Sequence, residues 1–208
     1  PVESYEEENY FFRLSRFQKP LEEFFAANPS FVQPDARRNE VLGRLREGLQ
    51  DVPVSRTNFT WGIPMPNDPK HVIYVWIDAL FNYITALGFA DDSEPYRHYW
   101  AGGDERLHLL GKDIIRFHCL YWPAILHAAG VPVPTREFAQ GFITRDGRKL
   151  SKTTGNVIDP VALVERLGPD AARYFLLREA NYGADWDFTD TAFIARYNAD
   201  LANDLGNL

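Results

Sequence analysis

Val72-Ile73-Tyr74-Val75-Trp76-Ile77 decides the fold of this chain. The run is apolar, continuous, β-branched and aromatic, which reads as a strand buried on both faces. Asp78 then opens a helical run to Leu87 that stops at Gly88. A second copy of the same grammar follows. Leu107-His108-Leu109-Leu110 reads as a strand, Gly111-Lys112-Asp113 as a turn, and residues 114–129 as an apolar helix ended by Gly130. Phe138 to Thr144 reads as a third strand. Strand, helix, strand, helix, strand with short turns predicts an α/β fold with these three strands parallel in one Rossmann-like sheet. Ligands on such sheets sit at the carboxyl ends of the strands, which would gather Asp78, Gly111–Asp113 and Arg145–Lys152.

Upstream, Tyr10–Leu14 reads as a short strand, and residues 16–27 and 36–50 as helices. Pro53 to Pro69, rich in Pro and Asn, reads as a long functional loop. After Asp159-Pro160 the chain turns helical, over 161–167, 169–179 and 189–208, which places a boundary near 155–160.

The 208 residues suffice for a sizeable core, and 45% apolar and 14% aromatic content are those of a soluble globular protein. No apolar run reaches membrane-spanning length, and no basic-then-apolar leader opens the chain. The chain starts at Pro1 with Met65 as its only methionine, so a piece of a longer protein is expected. The single cysteine, Cys119, excludes an internal disulfide or a cysteine-based zinc knuckle, and points to the cytoplasm. A net charge of −7 argues against bulk nucleic-acid binding. Yet Arg145, Arg148, Lys149, Lys152, Arg166, Arg173 and Arg178 crowd into one third of the chain.

That cationic third contains the most telling chemistry. Gly147-Arg148-Lys149-Leu150-Ser151-Lys152-Thr153-Thr154-Gly155 sets two lysines three apart around a serine between glycines. Such a loop suits stabilisation of a triphosphate as charge builds on it, although a solvated basic turn has the same composition. Gly111-Lys112-Asp113 is not a Walker loop: the earlier glycine would fall at Arg106, and Asp113 replaces the required Ser or Thr. A glycine at a strand end still admits a nucleotide, and Asp113 could accept from ribose hydroxyls; an ordinary turn would look the same. Ile114, Phe117, His118, Tyr121 and Ile125 share one helical face, and Pro123 should kink that helix. Trp76, Ala79, Leu80 and Tyr83 form a second stripe. Both stripes suit either a core or an apolar pocket with one oriented hydrogen bond. No zinc motif, catalytic triad or nucleophile elbow is present.

Together these segments resemble the bacterial-type methionyl-tRNA synthetases, a family of class I aminoacyl-tRNA synthetases. Lys149-Leu150-Ser151-Lys152-Thr153 is similar to the KMSKS signature, with both lysines kept. Val75–Ile84 resembles the methionine-pocket segment, and Leu110–His118 the helix that completes the pocket and holds the ribose. Asp170–Arg178 and Asp200–Asn207 resemble the stem-contact region and the first anticodon-domain helix.

The resemblance implies a HUP-type, Rossmann-like half-domain followed by helices. Residues 1–50 would return from the connective insertion, 51–158 would form the second catalytic half, 159–188 the stem-contact region, and 189–208 the first helix of the anticodon-binding bundle. It implies ATP with Mg2+ as substrate and no metal site within the chain. Methionine and methionine tRNA would be the partners. Trp76, Ala79, Tyr83, Ile114, Phe117 and His118 would line the methionine pocket, with Arg56 near the amino acid. Gly111, Asp113, Gly141, Ile143 and Ser151 would meet ATP, and Lys149 and Lys152 would stabilise its phosphates. The family's HIGH signature is absent from these residues, so residues 1–208 alone are expected to show no methionine-dependent pyrophosphate exchange. Two rivals follow: a class I synthetase for another amino acid, which the Trp76, Tyr83, His118 set disfavours, and a non-catalytic tRNA- or partner-binding module.

Overall fold

The computed structural model describes residues 6–151, 153 and 155–207. The chain divides into two compact units, residues 1–138 and 139–208.

In the first unit, β1 (Phe11–Phe12) leads through a 3-10 turn into α1 (Gln18–Ala27), followed by β2 (Val32–Gln33) and α2 (Asp35–Arg46). Four short strands come next: β3 (Val52–Pro53), β4 (Ser55–Arg56), β5 (Pro64–Met65) and β6 (Asp68–Ile73). The segment read as a loop over 53–69 stays irregular over 57–63 and carries short strands on either side of it. Helix α3 (Val75–Thr85) follows, then β7 (Leu107–Gly111) and a disturbed helix that ends as α4 (Trp122–Ala129). Strand β8 (Arg136–Gln140) pairs in parallel with β2, Val32 facing Glu137 and Gln33 facing Phe138, and β7 lies on its other side.

The predicted single sheet of three parallel strands needs correction. Val72 and Ile73 end β6, which runs antiparallel to β4 and β5, while β7 and β8 share a different sheet. Tyr74 caps α3, so Val75, Trp76 and Ile77 are its first turn rather than a strand. An unbroken apolar run satisfies both periods, and burial decides between them. Leu80 and Ile84 are buried four residues apart while Val75 is exposed, which is the signature of a helix packed on one face.

The helix predicted over 114–129 is three pieces: a 3-10 turn over Lys112–Ile114, a π-helical turn over Phe117–Tyr121, and α4. Pro123 lacks the N–H that a continuous α-helix needs there, and the wider π turn before it absorbs the defect. Cys119, Leu120, Trp122 and Leu126 are buried in the core of this unit.

The second unit corrects a further strand. The run predicted over 138–144 breaks at Gly141-Phe142, and the chain restarts as β9 (Ile143–Arg145) in another sheet. Strand β10 (Arg148–Lys149) folds back antiparallel through Asp146-Gly147, both at positive φ, as Asp-Gly hairpins require. Helices α5 (Pro160–Leu167) and α6 (Pro169–Glu179) lead to β11 (Trp186–Phe188), which pairs in parallel with β9 and interrupts the predicted all-helical stretch. Helix α7 (Asp190–Arg196) continues as a π-helical segment over Tyr197–Asp204. Leu163, Ala172, Phe175, Phe188 and Phe193 form the core, with Phe175 edge-on to Phe188 and Phe193 at 5.6 and 5.1 Å.

Candidate active site

Helix α3 and the disturbed helix after β7 build an aromatic cluster in the first unit. Trp76 stacks on Phe117 with centroids 3.9 Å apart and planes within 14°. Two turns along α3, the Tyr83 hydroxyl lies 2.8 Å from His118 Nε2. His118 Nδ1 lies 3.1 Å from the Ile114 carbonyl oxygen. A carbonyl only accepts, so Nδ1 carries the proton, Nε2 accepts, and Tyr83 O–H donates to it. Burial pushes the His118 pKa down, against the smaller upward pull of the Ile114 carbonyl. The ring is therefore neutral at physiological pH and serves as an oriented acceptor, with no general-base pairing. Burial also raises the Tyr83 pKa, so its hydroxyl keeps its proton. Phe117 and His118, adjacent at the start of the π turn, thus meet Trp76 and Tyr83 respectively on α3.

Of the six predicted pocket residues, the structure joins Trp76, Phe117, Tyr83, His118 and, through its carbonyl, Ile114. Ala79 sits between Trp76 and Tyr83 on α3 and is exposed. Arg56 stands elsewhere, 3.0 Å from Glu7 Oε2 and 4.8 Å above the Tyr74 ring. Within the acidic run Glu6-Glu7-Glu8, nothing distinguishes Glu7 by residue type. It accepts from Thr57 N at 2.7 Å and Asn58 N at 3.3 Å, and the Thr57 backbone contact leads in holding its pKa at about 2. His108, which the sequence marks only as part of a strand, stacks its ring on Tyr83 at 4.1 Å.

Gly111 ends β7, and a Cβ there would lie 2.7 Å from Asp113 Oδ1, so the Asp113 carboxylate folds back over it. Nearby sequence also builds an apolar groove of about 610 Å³ lined by Phe59, Trp61, Ile63, Ile73, Val75 and Asp78.

The lysine loop belongs to the second unit. Lys149 pairs with Thr144 across the hairpin, and its Nζ lies 4.6 Å from the centre of the Phe142 ring. Asn156 ties the loop: its Nδ2 reaches the Arg148 and Lys149 carbonyls at 3.2 Å each, and its carbonyl accepts from Ser151 N at 2.8 Å. The Ser151 and Thr153 hydroxyls are 2.8 Å apart. Arg145, Arg148 and Lys149 line an open cavity of about 760 Å³ with Ser151 and Asn156. Lys152 lies outside the described residues. Gly141 is forced: a Cβ would collide with the Ala184 carbonyl where the chain crosses toward β11, and Phe142 N donates to Asp185 Oδ1 at 2.8 Å. Ile143 packs against the Phe175 core.

Among the described residues, no group of three or more His, Cys, Asp or Glu side chains could hold a metal ion, and no helix is long and apolar enough to cross a membrane.

Comparison with known proteins bears on both halves. A family model described as tRNA synthetases class I (M) matches residues 2–208. The methionine–tRNA ligase of a Nostoc species is 53% identical over 211 residues, covering 100% of this chain and 39% of that protein. The Brucella suis methionine–tRNA ligase is 54% identical over 208 residues, covering 40% of its length. Among solved structures, Mycobacterium tuberculosis methionyl-tRNA synthetase bound by methionyl-adenylate superposes with a TM-score of 0.92 at 53% identity, over 100% of this chain and 40% of that one. The chain spans about two fifths of the length of these relatives.

Proposed function

Because this chain belongs to the class I tRNA synthetases (M), we propose that it supplies the amino-acid pocket and the lysine loop of a methionine–tRNA ligase. A methionine carboxylate oxygen attacks the α-phosphorus of ATP, the bond to pyrophosphate breaks, and methionyl-adenylate forms. A terminal ribose hydroxyl of methionine tRNA then attacks the acyl carbon and AMP leaves. The observation that carries the reading is the Trp76–Phe117 stack beside the Tyr83–His118 hydrogen bond. A thioether is unbranched and polarizable, so an aromatic-walled slot with one fixed polar pair accepts it and crowds out β-branched side chains.

The roles divide accordingly. Trp76, Ala79, Tyr83, Ile114, Phe117 and His118 surround the methionine side chain, and Arg56 serves the amino acid's polar end. Gly111 lets the nucleotide approach, Asp113 holds ribose hydroxyls, and Gly141 and Ile143 flank adenine. Lys149, Lys152 and Ser151 meet the phosphates, whose Mg2+ arrives with ATP as part of the substrate. Lysines aimed at developing charge act mainly in the transition state. Residues 159–188 would contact the tRNA stem and 189–208 begin the anticodon-binding bundle, in a cytoplasmic enzyme. In the intact ligase, Trp76→Ala and His118→Ala are expected to raise KM for methionine more than KM for ATP. Unchanged methionine affinity in both variants would make these residues plain core.

A further inference from the structure

Behind Tyr83 lies a second polar layer that the proposed function does not use. His108 on β7 and Glu137 on β8 are both buried, Glu137 completely. Glu137 Oε1 lies 3.1 Å from His108 Nδ1, yet neither carboxyl oxygen nor either ring nitrogen completes a well-angled hydrogen bond. A buried pair with such geometry is a poor stabiliser, and well-packed apolar residues often do better in its place. Its surroundings give it a different use. The His108 ring lies flat on Tyr83, centroids 4.1 Å apart and planes within 22°. It also stands edge-on to His118 at 5.9 Å and 89°. Tyr83 is therefore fixed twice, by His118 at its hydroxyl and by His108 across its face. Glu137, from the neighbouring strand, is the polar group set against His108.

We propose that Glu137 and His108 are positioning residues for the amino-acid pocket: the carboxyl sets the imidazole, and the imidazole sets the plane of Tyr83 and so the aim of the hydroxyl that meets the ligand side chain. The proposal rests on the pocket assignment above and extends it to a layer that touches no substrate. Burial supports a pair without net charge, since it raises the Glu137 pKa well above the carboxylate range and lowers that of His108 to about 4. The carboxyl can then donate O–H to Nδ1, and glutamine can donate in the same place.

The test is methionine-dependent pyrophosphate exchange by the intact ligase. Glu137→Leu and His108→Asn are each expected to raise KM for methionine about tenfold, with KM for ATP and kcat within about threefold of the parent. Glu137→Gln should recover most of the loss. A purely structural role would lower Tm without separating methionine from ATP. Should Glu137→Leu fail to fold, His108→Asn decides by the same criterion. An unchanged methionine KM in His108→Asn, while Trp76→Ala still raises it, would overturn the positioning role and leave the pocket standing. An unchanged KM in every variant, Trp76→Ala included, would overturn the pocket assignment as well.

Discussion

Lys149 rests with its ammonium over the Phe142 ring. At a solvated position such a contact is worth about 0.5–1 kcal/mol, little enough that a phosphate can take the lysine away. Lys149→Ala in the intact ligase is expected to slow adenylate formation about a hundredfold, roughly 3 kcal/mol, with methionine affinity nearly unchanged; loss of tRNA binding alone, with normal pyrophosphate exchange, would contradict the role. Gly141 has no such freedom. Gly141→Ala drives a methyl group into the Ala184 backbone and should destabilise the protein by about 1–3 kcal/mol, read as a fall in Tm. Glu137 and His108 make stability depend on pH with opposite signs. Burial lowers the folded His108 pKa, so its contribution rises with pH up to the unfolded histidine pKa, whereas Glu137 holds in the folded state a proton that the unfolded chain releases earlier. The Glu137 contribution to stability should therefore fall as pH rises from the unfolded carboxylate pKa toward the raised folded one, and that component should vanish in Glu137→Gln, a comparison that Tm against pH makes directly.

Among the elements, the helices of the second unit were the most legible. Asp159-Pro160 announces a helix start, and the Asp159 carboxylate accepts from Val161 N at 2.9 Å with Pro160 in the first turn. Asp159→Ala should cost about 1 kcal/mol, seen as a lower urea midpoint. The strands were harder to read. Val72–Ile77 carries β-branched and aromatic residues that satisfy strand propensity, but only its first two residues lie in a strand. Tertiary burial of Leu80 and Ile84 pulled the rest into α3. The β9–β10 hairpin is written in Asp146-Gly147, a dipeptide inside the same cationic segment as the lysines. Strand β11 gave less warning, because its three residues take their place from the crossing at Gly141.

Across the whole chain, the candidate site was legible as residue types and hidden as packing. Helical spacing puts Trp76 and Tyr83 on one stripe and Phe117 and His118 on another, suited to either core or pocket; the resemblance implies their pocket roles, and the fold supplies the stack and the hydrogen bond between the two stripes. Glu7, His108 and Glu137 have no motif, and only the fold gives each its partner. Charge was also legible: within a chain of net −7, Arg145, Arg148 and Lys149 line the cavity of the lysine loop beside Asp146, a balance consistent with the proposed phosphate contact. Under the proposed function, this pocket selects methionine for activation. The most direct measurement is ATP–pyrophosphate exchange by the intact ligase with methionine, leucine, isoleucine, valine and cysteine in turn. Methionine alone should drive efficient exchange, and Trp76→Ala should raise its KM. Comparable exchange with a branched-chain amino acid, or with no amino acid, would contradict the account.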